Sequence, residues 1–149
     1  NPLNNLFGGE LLARMDRAAS ITARRHSSQL VVTASVNHVS FGRTVPLGSI
    51  VTVEAKVSRA FKTSMEIYID VWVNDSLAGK REKANEGIYT FVAVDSFGKP
   101  VEVPPIEPET QEEKDRFAGA LRRKQLSLIL AKKMKPEDAT ELKALFQAK

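Results

Sequence analysis

A change of hydrophobic period near residue 30 constrains this chain more than any other feature. From Phe7-Gly8-Gly9 to about Arg25 the apolar residues recur at helical spacing. Leu11, Met15, Ala18, Ala19 and Thr22 share one side, flanked by Leu12 and Ala23, with the arginines opposite. From Leu30 the period becomes two. Leu30 to Phe41 alternates from Val32 onward, setting Val32, Ala34, Val36 and His38 against Thr33, Ser35, Asn37 and Val39. Ile50 to Phe61 sets Val51, Val53, Ala55 and Val57 against Thr52, Glu54, Lys56 and Ser58. Ser64 to Val73 sets Met65, Ile67, Ile69, Val71 and Val73 against Glu66, Tyr68, Asp70 and Trp72. A fourth strand lies within Glu82 to Asp95, most clearly from Ile88 to Val94. One helix followed by a run of strands indicates an α+β fold. An antiparallel sheet with one apolar face, wrapped around that long helix, satisfies both patterns.

The chain then leaves the sheet. Ser96-Phe97-Gly98-Lys99-Pro100 reads as a turn, and Val101 to Pro108 as an extended connector rich in proline. Thr110 with Glu113 matches a capping box, so a helix is expected from Gln111 to about Lys133. A shorter helix carrying Leu142, Leu145 and Phe146 is expected after Pro136. The expected division is a main domain over 1–108 and a C-terminal helical extension over 109–149.

Composition narrows the chemistry. At 149 residues the chain can bury its own core, and 42% hydrophobic with 27% charged residues is a globular balance. No run approaches the ~18 apolar residues of a membrane span. Zero cysteines exclude disulfides, thiolate catalysis and cysteine-bound zinc, and suit a cytoplasmic protein. The net charge of +4 favours a polyanionic partner, either nucleic acid or a phosphate-bearing ligand. Much of it lies in Arg122, Arg123, Lys124, Lys132, Lys133 and Lys135, which read first as a solvated helix face, so nucleic acid is not the expected partner.

Two features of the first helix can carry chemistry. Gly8 and Gly9 at its start would expose backbone N–H groups at the positive end of the helix dipole, where a carbonyl oxygen gaining charge is stabilised. A double glycine also serves as a plain turn. Asp16 falls at the edge of the apolar face, between Leu12 and Ser20 on the same helical row. Read alone, it also suits a surface ion pair. His26 reads as helix-terminal and His38 as strand surface, with no metal set around either. Ser20, Ser35 and Ser64 lack the G-x-S-x-G context of a nucleophile elbow.

Several segments, taken in order, resemble one family. They are Asn1-Pro2-Leu3-Asn4-Asn5-Leu6-Phe7-Gly8-Gly9 with Leu12, Met15 and Asp16; Ala23-Arg24-Arg25-His26; and Val31-Val32-Thr33-Ala34-Ser35-Val36. Next come Pro46 with Gly48, Thr63-Ser64-Met65-Glu66, Tyr89 to Asp95, Val103-Pro104-Pro105 and Pro108-Glu109-Thr110. The set covers roughly residues 1 to 120. It is similar to the hotdog-fold acyl-CoA thioesterases, in the branch of the bacterial YciA proteins and the cytosolic long-chain acyl-CoA hydrolases. The resemblance implies hydrolysis of an acyl-CoA to fatty acid and CoA, with no separate cofactor and no metal. Gly8 and Gly9 would form the oxyanion hole, and Asp16 from a second subunit would act as general base or as nucleophile. Asn1 would orient the water. Lys62-Thr63-Ser64, with Arg59, would meet CoA, although many relatives have Gly-Arg where this chain has Phe61-Lys62. The branch implies a homodimer at minimum and commonly a trimer of dimers. Its members carry a strand ahead of the Asn1 segment, so the chain is expected to be a trimmed form lacking that strand. The alternative is a hotdog module that binds acyl-CoA or CoA without turnover.

Overall fold

The computed structural model describes residues 3–74 and 79–147. The chain divides into two compact units, Asn1–Ile106 and Glu107–Lys149.

In the first unit, α1 (Gly8–Ser27) is followed by β1 (Leu30–Phe41), β2 (Ile50–Ala60), β3 (Ser64–Asn74) and β4 (Arg81–Val94). Every pairing is antiparallel, in the order β1-β4-β3-β2, so the first two strands form opposite edges. Helix α1 lies on one face of this sheet. Its buried residues Leu11, Met15, Ala19, Ala23 and Ser27 fall on a single i, i+4 ridge. The small alanines in the second half let the backbone approach the sheet closely. Met65, Ile67, Ile69 and Val71 of β3 and Tyr89, Phe91 and Ala93 of β4 complete the core, each at most 1% exposed. Their burial supplies most of the drive for the fold, at roughly 25 cal/mol per Å² of apolar surface removed from water. The helix ends where Ser28 turns left-handed and its N–H reaches the Arg24 carbonyl, 2.8 Å away.

The expected alternation holds along β2 and β3 but fails in β1. Register shifts fall between Thr33 and Ser35 and between Asn37 and Ser40, and His38 adopts a φ of 51°. Val32 therefore stands opposite Val92 while Val36 stands opposite Tyr89, on the other face of the sheet. An extra residue at a bulge inverts the alternation beyond it. Thr33, not Val32, pairs with the core residue Phe91.

The second unit holds α2 (Gln111–Leu130), a 3-10 turn (Pro136–Asp138) and α3 (Thr140–Gln147). The capping box is present: Glu113 N–H donates to Thr110 Oγ1, and Thr110 N–H to Glu113 Oε1, each at 3.1 Å. Helix α2 stops three residues short of the expected Lys133, near a left-handed Lys132. The buried Gln125 accepts the Glu141 and Leu142 N–H groups at 3.0 Å and so caps α3. Among the described residues no helix is long and apolar enough to cross a membrane.

Candidate active site

The start of α1 is open. Its N-cap is Phe7, extended at φ −68° and ψ 135°, with no side-chain cap. Serine or aspartate at that position would occupy an early helix N–H, whereas phenylalanine leaves those donors to a ligand. A Cβ on Gly9 would lie 2.7 Å from the Phe7 ring, so glycine lets the ring fold over the first turn; a Cβ on Gly8 would sit 3.5 Å from the Phe41 ring. The segment ahead of the helix is tied down by Leu6 N–H to the Val45 carbonyl at 2.9 Å and Leu47 N–H to the Asn4 carbonyl at 3.1 Å. Beside it opens a cleft of about 620 Å³, whose apolar wall includes Leu6, Phe7, Val45, Leu47 and Val51. Asn1 lies outside the described residues.

Asp16 sits two turns further along α1, half-buried. Thr33 Oγ1 of β1 donates to its Oδ1 at 2.8 Å. The buried Tyr89 of β4 lies close enough to feel the same carboxylate. Its hydroxyl is pushed up to about 12 from 10.0, first by burial and second by the charge of Asp16. Sequence reasoning assigned no role to Thr33 or Tyr89. The available signal was polarity: each places a hydroxyl on the helix-facing side of its strand.

The sheet register locates the groups relative to one another. Thr33 pairs with Phe91, Phe91 with Met65, and Met65 with Ala60. The turn carrying Lys62, Thr63 and Ser64 lies just beyond this row, so it shares an end of the sheet with Asp16. There the Lys62 carbonyl accepts Val103 N–H at 3.0 Å and the Thr63 carbonyl accepts Ala93 N–H at 2.9 Å, which fixes the turn's backbone. Ser64 is buried, and the Arg59 guanidinium lies 5.9 Å from the Phe61 ring centroid. Phe41, which touches the Gly8 position, pairs with Asn85, and Asn85 with Val71. That row is six residues along β4 from Phe91, or about 20 Å. Within one protomer Asp16 and the 59–64 turn lie at the same end of the sheet but over opposite edge strands, and Gly8-Gly9 lies toward the other end. His26 sits near the end of α1, its Nε2 2.8 Å from the Pro104 carbonyl, and His38 is exposed at the β1 bulge.

A helix cradled by an antiparallel sheet is the hotdog arrangement, here with an uncapped glycine pair at the helix start and a carboxylate held by a threonine. Comparison with known proteins is specific. The thioesterase superfamily pattern matches residues 3–79. The uncharacterized acyl-CoA thioester hydrolase YkhA of Bacillus subtilis is 42% identical over 113 residues, which are 76% of this chain and 66% of YkhA. A solved apo-hexameric acyl-CoA thioesterase matches with a TM-score of 0.85 and 40% identity, over 88% of this chain and 84% of that one. The acyl-CoA hydrolase of Staphylococcus aureus, solved with butyryl coenzyme A, coenzyme A and coenzyme A disulfide, gives 0.81 and 36%, over 89% and 82%. Variants of that enzyme with an asparagine, an aspartate or a threonine changed to alanine have also been solved. The chain belongs to the thioesterase superfamily, in its hotdog-fold acyl-CoA hydrolase branch. It spans just under two thirds of YkhA's length.

Proposed function

We propose that the chain is the hydrolytic core of an acyl-CoA thioesterase whose active site is completed across a homodimer. The observation that carries this reading is the separation just described. Along α1, Asp16 is seven to eight residues from the glycine pair, roughly 10–12 Å at 1.5 Å per residue. One water bridging a carboxylate to a carbonyl carbon spans far less. The base of one protomer therefore needs the amides of another.

The edge strand β1 supports such a partner. Leu30, Val32, Val36 and Phe41 are each 49–55% exposed on it, and an edge with unpaired N–H and C=O groups favours pairing with a copy of itself. Antiparallel pairing of two β1 strands sets the Thr33 end of one beside the Phe41 end of the other. Asp16 then faces the partner's glycine pair. Further association into a trimer of dimers belongs to the same reading, as does a cytoplasmic location.

In the reaction the thioester carbonyl oxygen is taken up by amides at the start of α1, where one such donor is worth about 2.7–4 kcal/mol. Asp16 removes a proton from water as the water oxygen attacks the carbonyl carbon. The C–S bond breaks, and the CoA thiolate takes up a proton. Attack by Asp16 itself, through an anhydride that water then opens, reaches the same products. Thr33 holds Asp16 in place, Asn1 orients the water, and Arg59 and Lys62-Thr63-Ser64 take CoA. The asparagine, aspartate and threonine changed in the Staphylococcus aureus variants stand in the same order and at the same spacings as Asn1, Asp16 and Thr33, which favours this set. The cleft beside Phe7 would receive the acyl chain.

Asp16→Asn is the test. Thiol release from butyryl-CoA and palmitoyl-CoA should fall by about 10²- to 10⁴-fold, the range for a positioned acid–base group, with CoA binding retained. Turnover at the wild-type rate removes Asp16 from the chemistry. CoA binding without thiol release by the unmodified chain would make it a binding module.

A further inference from the structure

We propose that Tyr89 is a positioning residue for Asp16, acting through the main chain of α1; the inference rests on the reading of Asp16 given above. Tyr89 is 1% exposed at the centre of β4, and its hydroxyl donates to the Leu12 carbonyl at 3.1 Å. By helical geometry that carbonyl is also the i−4 acceptor of Asp16's own N–H. One oxygen thus ties the sheet to the turn that presents the carboxylate. A neighbouring contact packs against the same turn. At Gly87, two residues before Tyr89, a Cβ would fall 2.8 Å from the Met15 methyl and 3.3 Å from the Tyr89 ring. The absence of a side chain at Gly87 leaves room for the end of Met15 against the β4 backbone. Met15 is fully buried and precedes Asp16.

The carboxylate is therefore located from two sides. Thr33 of β1 holds its Oδ1, and Tyr89 of β4 holds its backbone turn. Burial and the Asp16 charge keep the Tyr89 hydroxyl protonated to about pH 12, so it remains a donor at any working pH. In a core otherwise lined by Met65, Ile67, Ile69, Val71 and Phe91, a phenylalanine at position 89 would fill the same space. What the hydroxyl adds is direction. A carboxylate displaced by a fraction of an ångström loses its line to water while substrate binding is untouched.

The test is a double-mutant cycle of Tyr89→Phe and Asp16→Asn, read as kcat and KM with the oligomer intact. Tyr89→Phe alone is expected to lower kcat about tenfold with KM within about twofold of wild type. In the Asp16→Asn background it should add almost nothing, because its effect passes through the carboxylate. The core variant Ile69→Val serves as a stability control, lowering Tm without this change in kcat. Wild-type kcat in Tyr89→Phe, an equal loss in both backgrounds, or a matching kcat loss in Ile69→Val would each overturn the inference. Full activity in Asp16→Asn alone would instead overturn the reading on which it rests.

Discussion

The two ends of the sheet are built differently. At the Thr33 end a carboxylate is gripped by a hydroxyl, and the turn after β2 is fixed by main-chain bonds to its Lys62 and Thr63 carbonyls. At the Phe41 end, backbone amides start a helix without a side-chain cap beneath an aromatic ring that is 66% exposed. One end holds Asp16, two turns into the helix; the other offers the helix N-terminus, where the nearby carboxylate, Glu10, is paired with Arg14. On the proposed reading, neither end is a thioesterase site alone. On the same reading a twofold axis through β1 would join them, which gives the bulged edge strand as large a part in the proposed site as the side chains.

The largest effect expected from attacking this comparison is at the seam itself. Val36→Glu would bring like charges together near the middle of the β1 pair. It should shift the dimer to monomer by light scattering and reduce turnover at least a hundredfold, while circular dichroism keeps the fold's signature. A monomer with full activity would separate catalysis from the seam. Thr33→Val acts on one end only. It removes a hydrogen bond to a charged group, of the kind worth about 1.5–3 kcal/mol, so kcat should fall by roughly tenfold or more with dimerisation unchanged. If KM alone rises, Thr33 serves binding and not the base.

The last effect leaves turnover at neutral pH untouched and is read in stability alone. The folded-state value for Tyr89 is raised to about 12 from 10.0, so its contribution is fully present below pH 10 and is lost as pH climbs to 12. The loss is about 2–3 kcal/mol. Denaturant midpoints should therefore fall more steeply over that window in the wild type than in Tyr89→Phe. Parallel slopes would contradict it.

How much of this could be read from the chain depends on whether the signal was local. The ridge from Leu11 to Ala23 follows from helical spacing, and the Thr110–Glu113 cap from two residues three apart. Strands β2 and β3 follow from plain alternation. The inverted faces of β1 do not, because a bulge leaves no mark when Thr33, Ser35 and Asn37 are all acceptable on either face. The first half of β4 was equally hard to read: Lys83, Asn85 and Glu86 look like a loop, yet Asn85 is buried with its amide donating to the Ser40 carbonyl at 3.1 Å. At the candidate site, Gly8, Gly9 and Asp16 were singled out by the family resemblance, since residue type alone also suits a plain turn and a surface ion pair. Thr33 and Tyr89 were not, since their contacts with α1 arise from strands that meet it only after the sheet forms.

The central claim, that amides and carboxylate come from different protomers, is tested most directly by complementation. Asp16→Asn spoils the carboxylate. Gly9→Val spoils the amides, its Cβ displacing the exposed Phe7 ring, which has room to swing. Each alone should be nearly inactive. Refolded together in equal amounts, the two should regain about a quarter of the wild-type rate, because a quarter of randomly mixed sites pair an intact glycine end with an intact aspartate. A mixture no faster than the sum of its two parts would place both groups in one chain and contradict the account.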